Sequence, residues 1–304
     1  MIDKDALDRL YERYNNARFI HPDPLEFLYD YDDIREREVA GLVAASLAYG
    51  QVKQILKSVS SVLKKLGPKP SEYIICAGNR RLEKDFSGFR HRFTTGAEVS
   101  SFLKNTGKVI AKYGSLNQCF ISCMEKVKGE NGKLHWQGEI GRKHELGRKD
   151  NLGRRIKKDK QDGRQYLDKQ NKKYTGLPDI HAALMVFIKE LRFGECRAYN
   201  SLIPIPDGKC AYKRMNLYLR WMVRRDNVDP GGWIGFSPSE LIVPLDVHMH
   251  RVSLSYGFTS RKQADMKTAL EVTESLRKYD PKDPVKYDFA LTRAGIYIRN
   301  KPGA

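Results

Sequence analysis

Apolar residues recur at three- and four-residue spacing along most of this chain, and no stretch shows the period-two alternation of a half-buried strand. Residues 3–15 place Leu7, Leu10, Tyr11 and Tyr14 on one helical face. Residues 34–48 do the same with Val39, Leu42, Val43, Ser46 and Leu47, and the next helix carries Val52, Ile55, Leu56, Val59 and Leu63 before GPKP stops it at Gly67. Residues 97–113 and 115–127 predict two more helices. After Leu177-Pro178-Asp179 a helix carries Ile180, Leu184, Val186, Phe187 and Leu191. From Ala211 a further stripe is Tyr212, Met215, Leu219 and Met222, and another helix opens at Asp246 and stops at Gly257. Residues 260–279 and 284–298 close the chain as two helices, broken at Pro281 and Pro284. The segment HPDPLEFLYDYDD reads as turns, and residues 71–93 are mixed, ending in the basic-aromatic run FSGFRHRF. The fold class expected is all-α.

One stretch breaks the pattern. Residues 126–173 hold 16 Lys and Arg against 7 Asp and Glu, a net +9 and half the formal charge of +18. GRKHEL, GRKDNL and GRRIKK recur there at a six-residue period from Gly141. Composition reads this as a solvated basic insertion, able to add phosphate contacts. It divides the 304 residues into an N-terminal helical part, 1–125, the insertion, 126–175, and a second helical part, 176–304, which packs with the first as one unit.

Composition narrows the partner. A pI of about 9.6 favours a polyanion, of which nucleic acid is the commonest. A mean hydropathy of −0.59 gives a wet surface, and no apolar run approaches the roughly 20 residues of a membrane span. The charged amphipathic start MIDKDALDRLYERY does not read as a secretory signal. Cys76, Cys119, Cys123, Cys196 and Cys210 match no metal or cluster spacing and read as free thiols. A cytoplasmic monomer without cofactor or membrane partner is expected.

The candidate chemistry sits between Ile203 and Gly257. Pro204, Pro206, Asp207 and Gly208 make a tight connection whose successive backbone N–H groups could be aimed at one phosphate, and Lys209 follows it. Lys213 follows in the first turn of a helix, where the macrodipole disfavours a cation. A lysine attacks carbon only as the neutral amine, so burial and a helix start are the means of making it a nucleophile able to form a Schiff base. Asp246 is a good N-cap, and capping alone would explain it. Asp246, His248 and His250 also spell D-x-H-x-H. On a strand the three would share a face and could hold a metal; on a helix, residues two apart point about 200° apart and cannot. Arg251 is a candidate partner for a phosphate or carboxylate.

These segments resemble the helix-hairpin-helix DNA glycosylase superfamily, of which endonuclease III is the familiar member. VPLDVHMHRVSLSYGF is similar to its V-D-T-H-x-x-R-V segment around the catalytic aspartate. KRMNLYL is similar to its K-T-A-N-V-V-L, which begins with the catalytic lysine, and SLAYGQVKQILKSVSSVLKKL to its L-S-x-Q helix junction. ESLRKYDPKDPVKYDFALTRAG resembles the helices that follow the aspartate. The resemblance, nearest to a bacterial branch, covers much of residues 34–66 and 200–298. It implies two helical subdomains flanking a cleft, Lys213 as nucleophile and Asp246 as acidic catalyst. It puts Gln51 into the opened duplex and Gly208, Lys209, His248, His250 and Arg251 against double-stranded DNA carrying a damaged base. Trp221 and Trp233 are candidates to stack on that base, with the core as the plainer place for Trp221. The chain departs from the superfamily in three ways. Lys213 and Asp246 stand 33 positions apart, wider than in endonuclease III and closer to the archaeal 8-oxoguanine glycosylases. RRDNVDPGGWIGFSPSE supplies the excess and implies a different pocket wall. The four-cysteine iron–sulfur motif is absent, and the basic insertion has no counterpart. The implied activity is a bifunctional DNA glycosylase and AP lyase that removes an oxidised base, 8-oxoguanine among the candidates. The rivals are a non-catalytic DNA-binding protein on the same fold and a metal-dependent hydrolase using Asp246, His248 and His250.

Overall fold

Twelve α-helices and one small hairpin account for most of the residues described by the computed structural model, 2–129, 179–192, 200–206 and 210–299. The basic insertion lies outside them except for residues 126–129, which finish a helix. The first part holds α1 (Lys4–Tyr14), α2 (Ile34–Ser46), α3 (Val52–Leu66), α4 (Pro70–Cys76) and α5 (Asn79–Phe86), then a hairpin of β1 (Arg90–His91) and β2 (Thr94–Thr95), then α6 (Gly96–Tyr113) and α7 (Leu116–Gly129). The second part holds α8 (Asp179–Leu191), α9 (Lys213–Val223), α10 (Val247–Tyr256), α11 (Met266–Arg277) and α12 (Asp288–Arg299). The turn-rich stretch before α2 contains two 3₁₀ segments, Ala17–Phe19 and Pro24–Asp30.

The predicted helices at 34–48, 52–66 and 97–113 are present with their apolar faces buried. The last two helices start later than periodicity suggests, because Asp265 caps α11 through its contact with Thr268 N and residues 284–287 form turns before Asp288. The hairpin is the one departure from an all-helical pattern: two-residue strands are too short to show alternation. Here Arg90 pairs with Thr95 and His91 with Thr94.

Helix α2 organises the packing. The sequence predicts one apolar face, but the structure buries Glu36 and every residue from Glu38 to Ser46. Ala40, Gly41, Ala44 and Ala45 make this possible by letting neighbours approach the second face closely. A Cβ on Gly41 would stand 3.3 Å from Leu28 Cδ2 and 3.4 Å from Tyr218 Cε2. One continuous core takes Leu7 from α1, Leu42 from α2, Phe120 from α7, Phe187 from α8 and Leu276 from α11, so the two parts share it. No helix among the described residues is long and apolar enough to cross a membrane.

The two buried carboxylates of α2 cap other helices. Glu36 accepts hydrogen bonds from Ser71 N and Ser71 Oγ, both at 2.7 Å, at the start of α4. Glu38 accepts from Leu116 N at 2.7 Å, Asn117 N at 3.0 Å and Trp233 Nε1 at 3.0 Å, and so tethers the start of α7. Burial pushes Glu38 up to about 7, against the pull of those three donors. A carboxyl that holds its proton to about pH 7 when folded, and releases it near 4.5 when unfolded, adds stability below pH 4.5. That stability fades as pH rises through 7. Urea midpoints measured from pH 4.5 to 7.5 should therefore carry a downward slope, worth on the order of 3 kcal/mol for this group. Glu38→Gln should flatten that slope; an unchanged slope would show that Glu38 stays ionised throughout.

Candidate active site

Two helix starts and one helix end meet where the first and second parts touch. Before α9 the chain turns at Tyr212, whose φ of 47° and ψ of 36° put it in the left-handed region. That conformation costs a non-glycine residue about 1–2 kcal/mol. It is held because the ring is buried edge-on against His181 and Tyr212 OH donates to Ile205 O at 3.1 Å. The turn delivers Lys213 as the first residue of α9. Asp246 opens α10 as predicted and does two things at once. Its Oδ1 accepts from His248 N at 2.9 Å and Met249 N at 2.8 Å, while its Oδ2 stands 3.8 Å from Lys213 Nζ. The two side chains are 30% and 28% exposed, so both are reachable and neither is lost into bulk water.

The end of α2 completes the arrangement. Lys213 Nζ donates to Ala48 O at 3.4 Å, and Arg214 Nη1 donates to Ser46 O at 2.5 Å. Carbonyls at a helix C-terminus are a negative pole. The Lys213 ammonium therefore faces two negative groups, those carbonyls and the Asp246 carboxylate, while sitting at the positive pole of its own helix. Sequence reasoning named the last field and, through the resemblance, Asp246; it did not foresee the carbonyls at the end of α2.

These residues line a cleft of about 530 Å³. Its walls include Tyr49 and Gly50 from the first part, Met215, Leu245 and His248 from the second, and the exposed thiol of Cys210. Asp246 is the one carboxylate lining it among the described residues. Cys76, Cys119 and Cys123 are free thiols. Behind the cleft, burial pushes the Asp288 carboxyl on α12 up to about 6; Arg220 pulls it down and the charge of Asp246 pushes it further up.

A family model described as a protein of unknown function (DUF2400) matches residues 23–297. The chain belongs to the DUF2400 family. Neither a curated protein nor a solved structure matches it. The matched stretch of this DUF2400 chain takes in Lys213, Asp246 and the whole described cleft.

The remaining predicted site residues scatter. Gln51 is exposed as the N-cap of α3, next to Gly50 at the cleft. His248 lines the cleft, but His250 turns to Arg261 O, 2.8 Å from its Nε2, and Arg251 is exposed on the helix surface. Asp246, His248 and His250 do not converge, as the helical period requires. No three His, Cys, Asp or Glu residues among the described residues are placed to hold a metal ion. Gly208 and Lys209 lie outside the described residues.

Neither Trp221 nor Trp233, the candidates to stack on a base, lines the cleft, and Trp221 takes the plainer place that the sequence allowed it. Trp221 is fully buried in the core. Trp233 packs against Phe120, Phe187, Tyr218 and Phe236, and gives its N–H to Glu38. The extension from Arg224 to Glu240 supplies none of the cleft's lining residues, so it does not form the different pocket wall its length implies. Its Asp226 and Asp229 instead bind arginines of α9 and the residue that follows it. Sequence reasoning also missed Tyr49 and Arg214, whose guanidinium lies 5.2 Å from the Tyr49 ring centre. The one available signal was their adjacency to Gln51 and Lys213.

Proposed function

We propose that this chain is a DNA glycosylase with AP lyase activity, built on a helix-hairpin-helix glycosylase frame. Its substrate is a double-stranded DNA that carries one damaged base, an oxidised base such as 8-oxoguanine first among the candidates. The observation that carries the reading is the Lys213 amine 3.8 Å from the Asp246 carboxylate, both at helix starts facing one cleft. The formal charge of +18 supports a polyanionic partner.

The chemistry follows from those two groups. The damaged nucleotide leaves the stack and enters the cleft. As the bond from the sugar carbon to the base breaks, the base departs with the electron pair. The Asp246 carboxylate stabilises the positive charge left on the sugar. Lys213 passes a proton to the departing base and, now the neutral amine, gives its lone pair to that carbon. The adduct opens to an imine, and loss of the neighbouring sugar proton expels the 3′ phosphate and nicks the strand.

The test is covalent capture. Borohydride should reduce the imine and fix the protein to a duplex from a panel in which each member carries one defined lesion or a preformed abasic site. Lys213→Ala should abolish capture. Capture that survives this substitution would put the amine elsewhere, and a protein that binds every duplex without cleavage or capture would be a binding module.

A further inference from the structure

The hairpin of β1 and β2 has no role in the chemistry above, yet it ends at the cleft. Its turn is Arg92-Phe93, and Arg92 has a φ of 53°. Two-residue hairpin turns favour Asn-Gly or Asp-Gly, because positive φ is costly for other residues. Phe93 is 57% exposed, so the core does not require it. Neither turn residue is what folding alone would select.

The rest of the hairpin is firmly fixed. His91 and Thr94 are buried. The His91 ring meets Ser58 Oγ at 2.9 Å through Nδ1 and Tyr49 O at 3.0 Å through Nε2. Tyr49 OH donates to His91 O at 3.2 Å, and Thr94 Oγ1 meets Ser201 Oγ at 2.5 Å. Thr95 and Glu98 form a capping box that starts α6 directly after β2. A Cβ on Gly96 would fall 1.7 Å from Phe86 O, so only glycine lets α6 begin there. The turn is therefore carried on a rigid base.

What the turn presents is an aromatic shelf. The Phe93 ring stacks on Tyr49, with centroids 5.2 Å apart and planes 20° apart. Tyr49 lines the cleft that holds Lys213 and Asp246; Phe93, exposed and stacked on Tyr49, adjoins the cleft without lining it. The Arg92 side chain lies over Gly50, beside Gln51: a Cβ on Gly50 would be 2.8 Å from Arg92 Cδ. Arg90 and Arg92 are both exposed.

We propose that Phe93 is a stacking surface for an unpaired nucleobase that stays in the duplex next to the cleft, with Arg92 beside it on the flanking phosphate. The proposal rests on the reading of the cleft as a site for an extruded nucleotide. A flat aromatic face takes any base by stacking, and a neighbouring guanidinium positions without reading sequence. Removing a nucleotide from a duplex exposes such a base.

Fluorescence anisotropy with two duplexes, identical except that one holds a tetrahydrofuran abasic-site analogue, tests this. The wild-type protein should prefer the abasic duplex. Phe93→Ala should lower that preference about 10-fold to 100-fold and leave affinity for the intact duplex unchanged. Phe93→Trp should retain the preference, and both variants should melt as the wild type does because the ring is exposed. The proposal is overturned if Phe93→Ala keeps the wild-type preference, if it weakens both duplexes equally, or if the wild type shows no preference while borohydride capture succeeds. That last pattern leaves the glycosylase reading standing. A wild-type protein that binds neither duplex removes both.

Discussion

Asp246→Asn should unfold at nearly the wild-type temperature and yet lose about 10²-fold to 10⁴-fold in single-turnover base excision. The separation is possible because the two oxygens of Asp246 have different partners. Oδ1 takes the backbone N–H groups of His248 and Met249, and an asparagine carbonyl takes them equally well. Oδ2 faces the Lys213 amine, and there an asparagine offers an uncharged amide whose N–H groups would oppose the ammonium. Asp246→Ala removes both partners, so it should lose the same activity and also about 1 kcal/mol of stability from the missing cap. Excision should fall further than borohydride capture on a preformed abasic site, since capture needs no departing base. An Asp246→Asn protein with wild-type excision would mean that the residue is a cap and nothing more.

Much of this arrangement was legible in the chain because it depends on local rules. A cap residue followed by helical spacing put Asp246 at a helix start, and the same spacing placed Lys213 in a first turn. Helical period also separated His248 from His250. What was not legible depends on pairs distant in sequence. Trp233, in a Pro/Gly-rich stretch, reads as free to line a pocket. Its N–H needs an acceptor once buried, and that acceptor is Glu38 on a helix near the start of the chain. In α2 the stripe of Val39, Leu42, Val43 and Leu47 was legible, but burial of the opposite face was not, because a face of alanine and glycine adds nothing to an apolar period. The hairpin was read only as a basic-aromatic run, since four paired residues have no period to detect. Yet its buried His91 is what ties that run to Tyr49 and the cleft.

Asp229→Ala should cost about 3–5 kcal/mol. Asp229 is fully buried and serves two cations. Its Oδ1 accepts from Arg220 Nε at 3.2 Å and Nη2 at 3.1 Å, and its Oδ2 accepts from Arg224 Nη1. Arg220 reaches on to Asp288, and Arg224 to Asp283 at 2.9 Å and Asp226 at 2.9 Å. Removing the shared carboxylate leaves two buried guanidinium groups beside each other, Arg220 with Asp288 alone and Arg224 with Asp226 and Asp283. Against a typical stability of about 5–15 kcal/mol, that loss is about a fifth or more of the total. Asp283→Ala should cost less, because Asp283 is 20% exposed and water can take its place. A combined Arg220→Met, Asp229→Leu protein should lie above the sum of its single variants, since one cation leaves together with a carboxylate it serves, and buried Asp288, relieved of Arg220, takes up a proton. Urea midpoints of the wild type and these five variants would measure this, and a loss below about 1 kcal/mol for Asp229→Ala would show that water already enters the site. The network also bears on the cleft. Helix α9 carries Lys213 at its start and Arg220 near its end, and Arg224 caps it, so pinning that end to Asp229, Asp283 and Asp288 fixes the axis along which the amine is aimed at Asp246. Variants of Asp229 that still fold should therefore lose borohydride capture in step with their stability, although Asp229 is absent from the lining of the cleft.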